Sequence, residues 1–338
     1  MKAKLLEGVA PGGERKILAK SLPLNTPFVV QIFPVYACNF KCSYCMHAIP
    51  KDKRGYISEN VFMNMDVYKK IIDDITHFNN RLKVLRFVGL GEPLLHRNIA
   101  EMVRYAKERN IAENVEIITN GLLLNKKLSI SLIEAGLDKL RVSIQGISAE
   151  KYKNIAGVDI DFELLLDNLR FFYENRGNTK VYIKVIDCAL ENENEENNFF
   201  EIFGDICDFI AIEHLVPIVE QIDYNKLSKG KPFNLTANGT SVLDVKICPQ
   251  PFYMMEINPD GNVFPCCSVP YPISVGNVLE ESVVDIWNGP KFTTFRRRML
   301  EGVQHASYIC SKCKSYKYRI FKEDVLDDYA EQLKKLYE

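Results

Sequence analysis

The chain reads as an α/β protein in which a series of parallel βα units is followed by a smaller α+β unit. Apolar runs of strand length recur six times before residue 216, and helical patterns with i, i+3, i+4 apolar spacing lie between them. The rhythm stops near residue 220. Strands are expected at 28–33, 83–88, 115–119, 139–144, 180–186 and 209–215, and helices at 66–78, 99–109, 126–135, 161–173 and 198–207. The acidic, amide-rich stretch 191–198 reads as a solvated loop or a helix start. Residues 1–27 form an N-terminal extension containing Pro11-Gly12-Gly13 and the basic stretch 15–20, and 28–220 carry the sheet. Residues 221–247, with Lys229-Gly230-Lys231-Pro232 and Asn238-Gly239, read as a turn-rich linker. The second unit is expected over 248–318, and a terminal helix over 319–338.

Composition narrows the setting. The 43 Lys and Arg balance 44 Asp and Glu, so no broad basic face invites nucleic acid. No apolar run reaches the length of a membrane span, and residues 1–14 lack the apolar centre of a signal peptide. A cytoplasmic protein is expected. Ten Cys in a chain of this kind argue for metal ligands rather than disulfides.

Three of those thiols sit together. Cys38-Asn39-Phe40-Lys41-Cys42-Ser43-Tyr44-Cys45 spaces its cysteines by four and three. Thiolates are the soft ligands that iron-sulfur clusters need, and three on a short loop can hold three irons of a 4Fe-4S cube while the fourth stays open. The same spacing would also place three small hydrophobes on one helix face. Finding two further Cys at chosen offsets from a given one, with ten in 338 residues, has a chance of roughly one in a thousand. Zinc normally takes four ligands, and no fourth lies nearby.

This CxxxCxxC segment, with Gly89-Leu90-Gly91-Glu92-Pro93 closing the second strand, resembles the signature of the radical SAM superfamily. The resemblance implies a partial (β/α)6 TIM barrel and S-adenosylmethionine chelated through its amino and carboxylate groups to the open iron. It also implies reductive cleavage to a 5'-deoxyadenosyl radical, fed by a flavodoxin- or ferredoxin-type donor. By the same resemblance, carbonyls of the Gly91-Glu92-Pro93 turn and the Glu92 carboxylate accept from the SAM ammonium; a plain Gly-Pro turn is the bland alternative. Thr119-Asn120-Gly121 after the third strand and Ser143-Ile144-Gln145-Gly146 after the fourth resemble segments that lie along ribose and methionyl groups. Their alternative is ordinary turn chemistry. Tyr44 is an adenine neighbour on this view and a core residue otherwise. Lys184 would meet the SAM carboxylate or face solvent.

The second unit holds Cys248-Pro249, a hairpin signal at Asn258-Pro259-Asp260-Gly261-Asn262, then Pro265-Cys266-Cys267 and Cys310-Ser311-Lys312-Cys313. Val275-Gly276-Asn277-Val278 reads as a turn, 283–288 as a helix start, and Trp287, the single Trp, as core. The Cys pattern resembles the SPASM and twitch extensions of the superfamily, which hold auxiliary 4Fe-4S clusters. No Cys follows Cys313, so the resemblance implies the shorter, twitch-like form with one auxiliary cluster on Cys248, Cys266, Cys310 and Cys313. A four-Cys zinc site is the alternative. Cys267 is a surplus thiol that could replace Cys266, return a hydrogen atom to a substrate radical, or pack. Cys188, at the end of the fifth strand, is a second hydrogen-donor candidate, and Cys207 packs.

A fully ligated auxiliary cluster suits electron transfer. The ligand arrangement is most similar to that of aminocyclitol alcohol dehydrogenases within the family, which implies two-electron oxidation of a sugar-like or aminocyclitol-like alcohol. Redox-neutral epimerisation and peptide maturation use the same scaffold. Only 37 residues precede Cys38, too few for a separate peptide-recognition domain, which favours a small-molecule substrate. A non-catalytic electron carrier or zinc-stabilised binding protein would need neither the Gly91-Glu92-Pro93 turn nor an open iron.

Overall fold

The computed structural model describes residues 1–9, 15–55 and 58–337; Pro11-Gly12-Gly13 lies outside them. One sheet of ten strands organises the chain: Lys4–Leu5 (β1), Val29–Ile32 (β2), Leu82–Phe87 (β3), Ala112–Thr119 (β4), Lys139–Ile144 (β5), Lys180–Ile186 (β6), Phe209–Glu213 (β7), Met254–Ile257 (β8), Asn262–Phe264 (β9) and Gly276–Asn277 (β10). The order β1-β7-β6-β5-β4-β3-β2-β8-β9-β10 runs parallel from β1 to β8 and antiparallel across β8, β9 and β10. All six expected strands are present, and they follow one another in space with helical crossovers, as parallel pairing demands. The result is the α/β partial barrel with a C-terminal α+β region.

Helices Met65–Ile75 (α1), Ile99–Glu108 (α2), Lys126–Glu134 (α3), Ala149–Ala156 (α4), Phe162–Asn175 (α5) and Glu193–Phe203 (α6) pack outside these strands. Each buries an apolar stripe: α1 turns Tyr68, Ile71, Ile72 and Ile75 inward. Helix α4 was not expected. It starts on Ser148, whose side chain accepts from Lys151 N, and buries only Tyr152 and Ala156, too few apolar positions to show a period. Helix α6 starts earlier than expected because Asn192 caps it and Glu193, Glu195 and Glu196 fill its first turn, where the helix dipole favours acids. Strand β7 stops at Glu213 because the His214 amide leaves the ladder and donates to Ala237 O at 3.0 Å.

Beyond β7, Tyr224–Leu227 forms a short helix (α7) in the turn-rich stretch. Gln250–Tyr253 (α8) leads into the β8–β9 hairpin, whose Gly261 has φ +82°, the left-handed turn the Asp-Gly pair announced. Gly276–Asn277, expected as a turn, pairs with β9 as β10. Val283–Asn288 (α9) and Pro290–Met299 (α10) follow, with Trp287 fully buried. Val303–Ala306 (α11) and Tyr308–Lys312 (α12) carry the chain to the last CxxC. The terminal helix expected over 319–338 is shorter: 3-10 turns at Lys322–Asp324 and Asp327–Tyr329 precede Ala330–Lys334 (α13), since Asp324 turns inward to pair with Arg15 instead of extending a helix. No helix among the described residues is long and apolar enough to cross a membrane.

Candidate functional site

Every segment singled out for SAM chemistry leaves the C-terminal end of a barrel strand, the end at which such folds place their sites. The Cys38–Cys45 loop follows β2, Gly91-Glu92-Pro93 follows β3, Thr119-Asn120-Gly121 ends β4, and Ser143 and Gln145 end β5. Gly91 has a steric reason to be glycine. A Cβ there would lie 2.6 Å from Ala37 O and closer still to Val35 O, so the turn can rest on the backbone leading into the cysteine loop only without a side chain.

Glu92 brackets two of these turns. Its amide donates to Ala37 O at 2.8 Å; Oε1 accepts from Leu94 N at 2.9 Å and Thr119 Oγ1 at 2.6 Å, and Oε2 accepts from Asn120 N at 2.7 Å. Burial pushes its carboxyl up to about 6, against the pull of these donors. With three of about four acceptor directions used inside the protein, the carboxylate is chiefly a bracket, and the turn's carbonyls carry more of the capacity for an ammonium than the sequence implied. Thr119 is spent on Glu92. Asn120 Nδ2 donates to Asn39 Oδ1 at 2.7 Å and lies 4.0 Å from Cys38 Sγ. On the opposite wall, Gln145 Oε1 accepts from the Tyr44 hydroxyl and faces the Cys42 thiol at 3.6 Å, while its Nε2 donates to Ser143 O at 2.9 Å. Tyr44 is thereby held by a polar partner as well as by packing.

The three thiols suit an iron-sulfur cluster. Burial pushes Cys38 up to about 11 and raises Cys42 and Cys45 as well, with neighbouring thiolates adding to Cys38 and Cys42; metal binding therefore displaces protons from this loop. Phe40 N donates to Cys38 Sγ at 3.4 Å, and Asn39 Nδ2 is buried without a partner among the described residues, a donor fit for an acceptor such as a cluster sulfide. His47 Nε2 meets Leu90 O at 3.1 Å while Arg54 Nη1 sits 3.4 Å from His47 Nδ1, so the ring donates from Nε2 and ties the Gly-rich turn to the cysteine loop.

The second set of thiols lines one small pocket: Cys248, Cys266, Cys310 and Cys313, walled by apolar Phe295 and Met299. Burial raises Cys248 and Cys266 and pushes Cys310 up to about 11. The Ser268 and Ser315 hydroxyls lie 3.2 Å from Cys266 Sγ and Cys313 Sγ. Four soft sulfurs with hydroxyls beside them and apolar walls fit a fully ligated cluster. Cys267 turns away: its sulfur accepts from Arg319 Nη1 at 2.9 Å and faces Gln250 Oε1 at 3.7 Å.

Residues 32–198 match the model of the radical SAM superfamily, and residues 248–314, spanning all four of those cysteines, match SPASM, an iron-sulfur cluster-binding domain. The chain belongs to the radical SAM superfamily and carries a SPASM domain. A radical SAM enzyme of this type binds S-adenosylmethionine and a 4Fe-4S cluster, with an auxiliary iron-sulfur cluster in the SPASM region. Among curated relatives, GTP 3',8-cyclase of Clostridium perfringens is 25% identical over 209 residues, 62% of this chain; the match spans 58% of that relative's length. The tungsten-containing aldehyde ferredoxin oxidoreductase cofactor-modifying protein of Pyrococcus furiosus is 26% identical over 307 residues, 77% of this chain and 80% of the relative. Two solved structures share the fold. BtrN in complex with AdoMet and 2-DOIA aligns with TM-score 0.55 at 20% identity, covering 85% of this chain and 92% of that one. Streptococcus suis SuiB bound to S-adenosylmethionine aligns with TM-score 0.62 at 17% identity, covering 89% and 74%.

At the far side of the barrel mouth the structure differs from the expectation for Lys184 and adds a pair, Asp187 and His214, that the sequence did not single out. Lys184 neither faces solvent nor stands free for SAM; it turns into the barrel and pairs with Glu213, whose other oxygen accepts from Tyr182 OH at 3.0 Å. Asp187 and His214 face each other beyond the ends of β6 and β7. The signal was their position at strand ends, where barrel side chains of functional use gather. Cys188 lines a cavity of about 520 Å³ beside that pair and packs near Tyr44; burial pushes its thiol up to about 12. Cys207 is fully buried, its thiol against Phe203 O at 3.2 Å.

Proposed function

We propose that this radical SAM enzyme is a dehydrogenase that oxidises a secondary alcohol of a small, polar, sugar-like or aminocyclitol-like substrate to a ketone. When bound, SAM and its cluster supply the 5'-deoxyadenosyl radical, and the auxiliary cluster accepts the electron that the substrate radical gives up. The observation that carries this reading is the placement of Cys248, Cys266, Cys310 and Cys313 around one cavity while Cys267 points elsewhere. Four protein thiols leave no iron for substrate, and electron acceptance is the use that remains. The fold shared with BtrN, seen with AdoMet and 2-DOIA, agrees with a substrate of this class. Cys38, Cys42 and Cys45 hold the radical SAM cluster in this account, and Gly91, Glu92, Pro93, Thr119, Asn120, Ser143, Gln145 and Tyr44 shape the SAM pocket. A flavodoxin- or ferredoxin-type protein delivers the first electron.

A second reading, redox-neutral epimerisation, draws on Cys188. Its thiol stays protonated at neutral pH and lines the cavity near Tyr44, which are the requirements for returning a hydrogen atom. One experiment separates the two. Anaerobically reconstituted enzyme is given SAM, a reductant and a panel of inositols and aminocyclitols, 2-deoxy-scyllo-inosamine first, in deuterated water. A product lighter by two hydrogens, with 5'-deoxyadenosine in equal amount, supports dehydrogenation. A product of unchanged hydrogen count carrying one solvent deuterium on carbon, and losing it in Cys188→Ala, contradicts dehydrogenation in favour of epimerisation.

A further inference from the structure

Strands β6 and β7 run parallel with Ile186 opposite Glu213, so the next residue of each, Asp187 and His214, are brought side by side at the mouth of the barrel. Asp187 Oδ2 lies 3.1 Å from His214 Nδ1, and Oδ1 accepts from Leu215 N at 3.0 Å, which fixes both oxygens of the carboxylate. A carboxylate at Nδ1 holds the proton of a neutral imidazole there and leaves Nε2 with a lone pair. That nitrogen has no hydrogen-bond partner among the described residues, and it faces the cavity of about 520 Å³ that Cys188 also lines. The polar stretch after β7 closes over the ring without covering it. Gly239 sits there with φ +86°, and a Cβ on it would come within 3.5 Å of Nε2.

We infer that His214, oriented by Asp187, is the base that takes the hydroxyl proton of the substrate radical, an assignment that rests on the dehydrogenase reading above. Removal of the carbinol hydrogen atom by the 5'-deoxyadenosyl radical leaves an α-hydroxyalkyl radical, whose O–H is far more acidic than that of the parent alcohol. The O–H bond breaks and an Nε2–H bond forms; the one electron that the resulting ketyl radical anion gives up in completing the C=O bond would be accepted by an oxidised auxiliary cluster that Cys248, Cys266, Cys310 and Cys313 would hold. The imidazolium returns its proton to water. A surface ion pair of no consequence would place the same two side chains in open solvent. Here the carboxylate is fixed on both oxygens, and His214 lines a cavity together with Cys188, a thiol that lies near Tyr44.

The test uses the reconstituted full-length enzyme with 2-deoxy-scyllo-inosamine as probe, measuring ketone formed per 5'-deoxyadenosine. His214→Ala, at wild-type iron content, is expected to lower that ratio about 100-fold. Added imidazole should enter the vacated space and restore it at least about tenfold, whereas pyrazole, of the same shape but too weak a base, should not. Wild-type ratios in His214→Ala, or equal rescue by imidazole and pyrazole, would overturn the assignment while leaving the dehydrogenase intact. Wild-type enzyme that cleaves SAM with the probe but forms no ketone would overturn the dehydrogenase reading itself.

Discussion

Glu92 shows how one buried side chain can tie together two turns at the mouth of the barrel. Its carboxylate ties the turn after β3 to the end of β4 through Thr119 and the Asn120 amide. Glu92→Gln replaces one acceptor by a donor that faces an N–H or O–H, leaving buried groups unpaired at a cost of about 1–3 kcal/mol. Both a lower melting temperature and at least about tenfold weaker SAM binding by equilibrium dialysis are expected; unchanged SAM binding in a destabilised protein would confine Glu92 to stability. At this scale the sequence was legible in kind and less so in role. Residue types at the turns after β3, β4 and β5 stood out by motif, but Thr119 and Asn120 proved to bond Glu92 and Asn39 because a buried carboxylate takes the nearest donors. Asp187 and His214 carried no motif, since their pairing exists only in the register of β6 against β7.

Among the elements, the turn after β3 depends on close backbone approach. Gly91→Ala would drive a methyl into Val35 O and Ala37 O, moving the turn away from the cysteine loop. The expected result is intact iron content with SAM affinity reduced by about tenfold or more, read by the SAM-induced change in the EPR signal of the reduced cluster. A wild-type response would mean the turn does not touch SAM. Strands and helices with a clean period were legible in the sequence, and their ends were governed by local chemistry: Asn192 and its acidic followers began α6 early, and Ser148 capped α4 on little apolar content. The pairing of strand β8 with β2, which extends the barrel sheet, was invisible because Met254–Ile257 looks like any hairpin arm until its non-local partner is known.

Across the whole molecule, the barrel interior carries a buried layer of charge among its apolar residues. Arg86, Lys139 and Arg141 converge on Glu116 at 3.1, 3.2 and 3.7 Å. Burial alone would raise the Glu116 carboxyl, but the three cations hold it down to about 2, below its ordinary 4.5. The folded state therefore prefers the ionised form, and the stability this contributes, on the order of 3 kcal/mol, is fully present above pH 4.5 and lost as pH falls from there toward about 2. Glu116→Gln should lower stability at neutral pH by about 3–5 kcal/mol, because it removes the one buried negative charge on which Arg86, Lys139 and Arg141 converge. Urea melts of both proteins should converge as pH falls below about 4.5; a gap that stays constant to about pH 3 would contradict the linkage.

The two clusters of thiols, one open and one closed, are the centre of the account, and counting iron tests them most directly. Anaerobically reconstituted wild type should hold about eight irons and about eight sulfides, with two EPR signals on reduction. The Cys38/Cys42/Cys45→Ala variant should fall to about four irons and lose 5'-deoxyadenosine formation, and the Cys248/Cys266/Cys310/Cys313→Ala variant should also fall to about four while losing substrate oxidation. About four irons in wild type with zinc in the remaining site, or an auxiliary signal that survives the four-cysteine substitution, would contradict it.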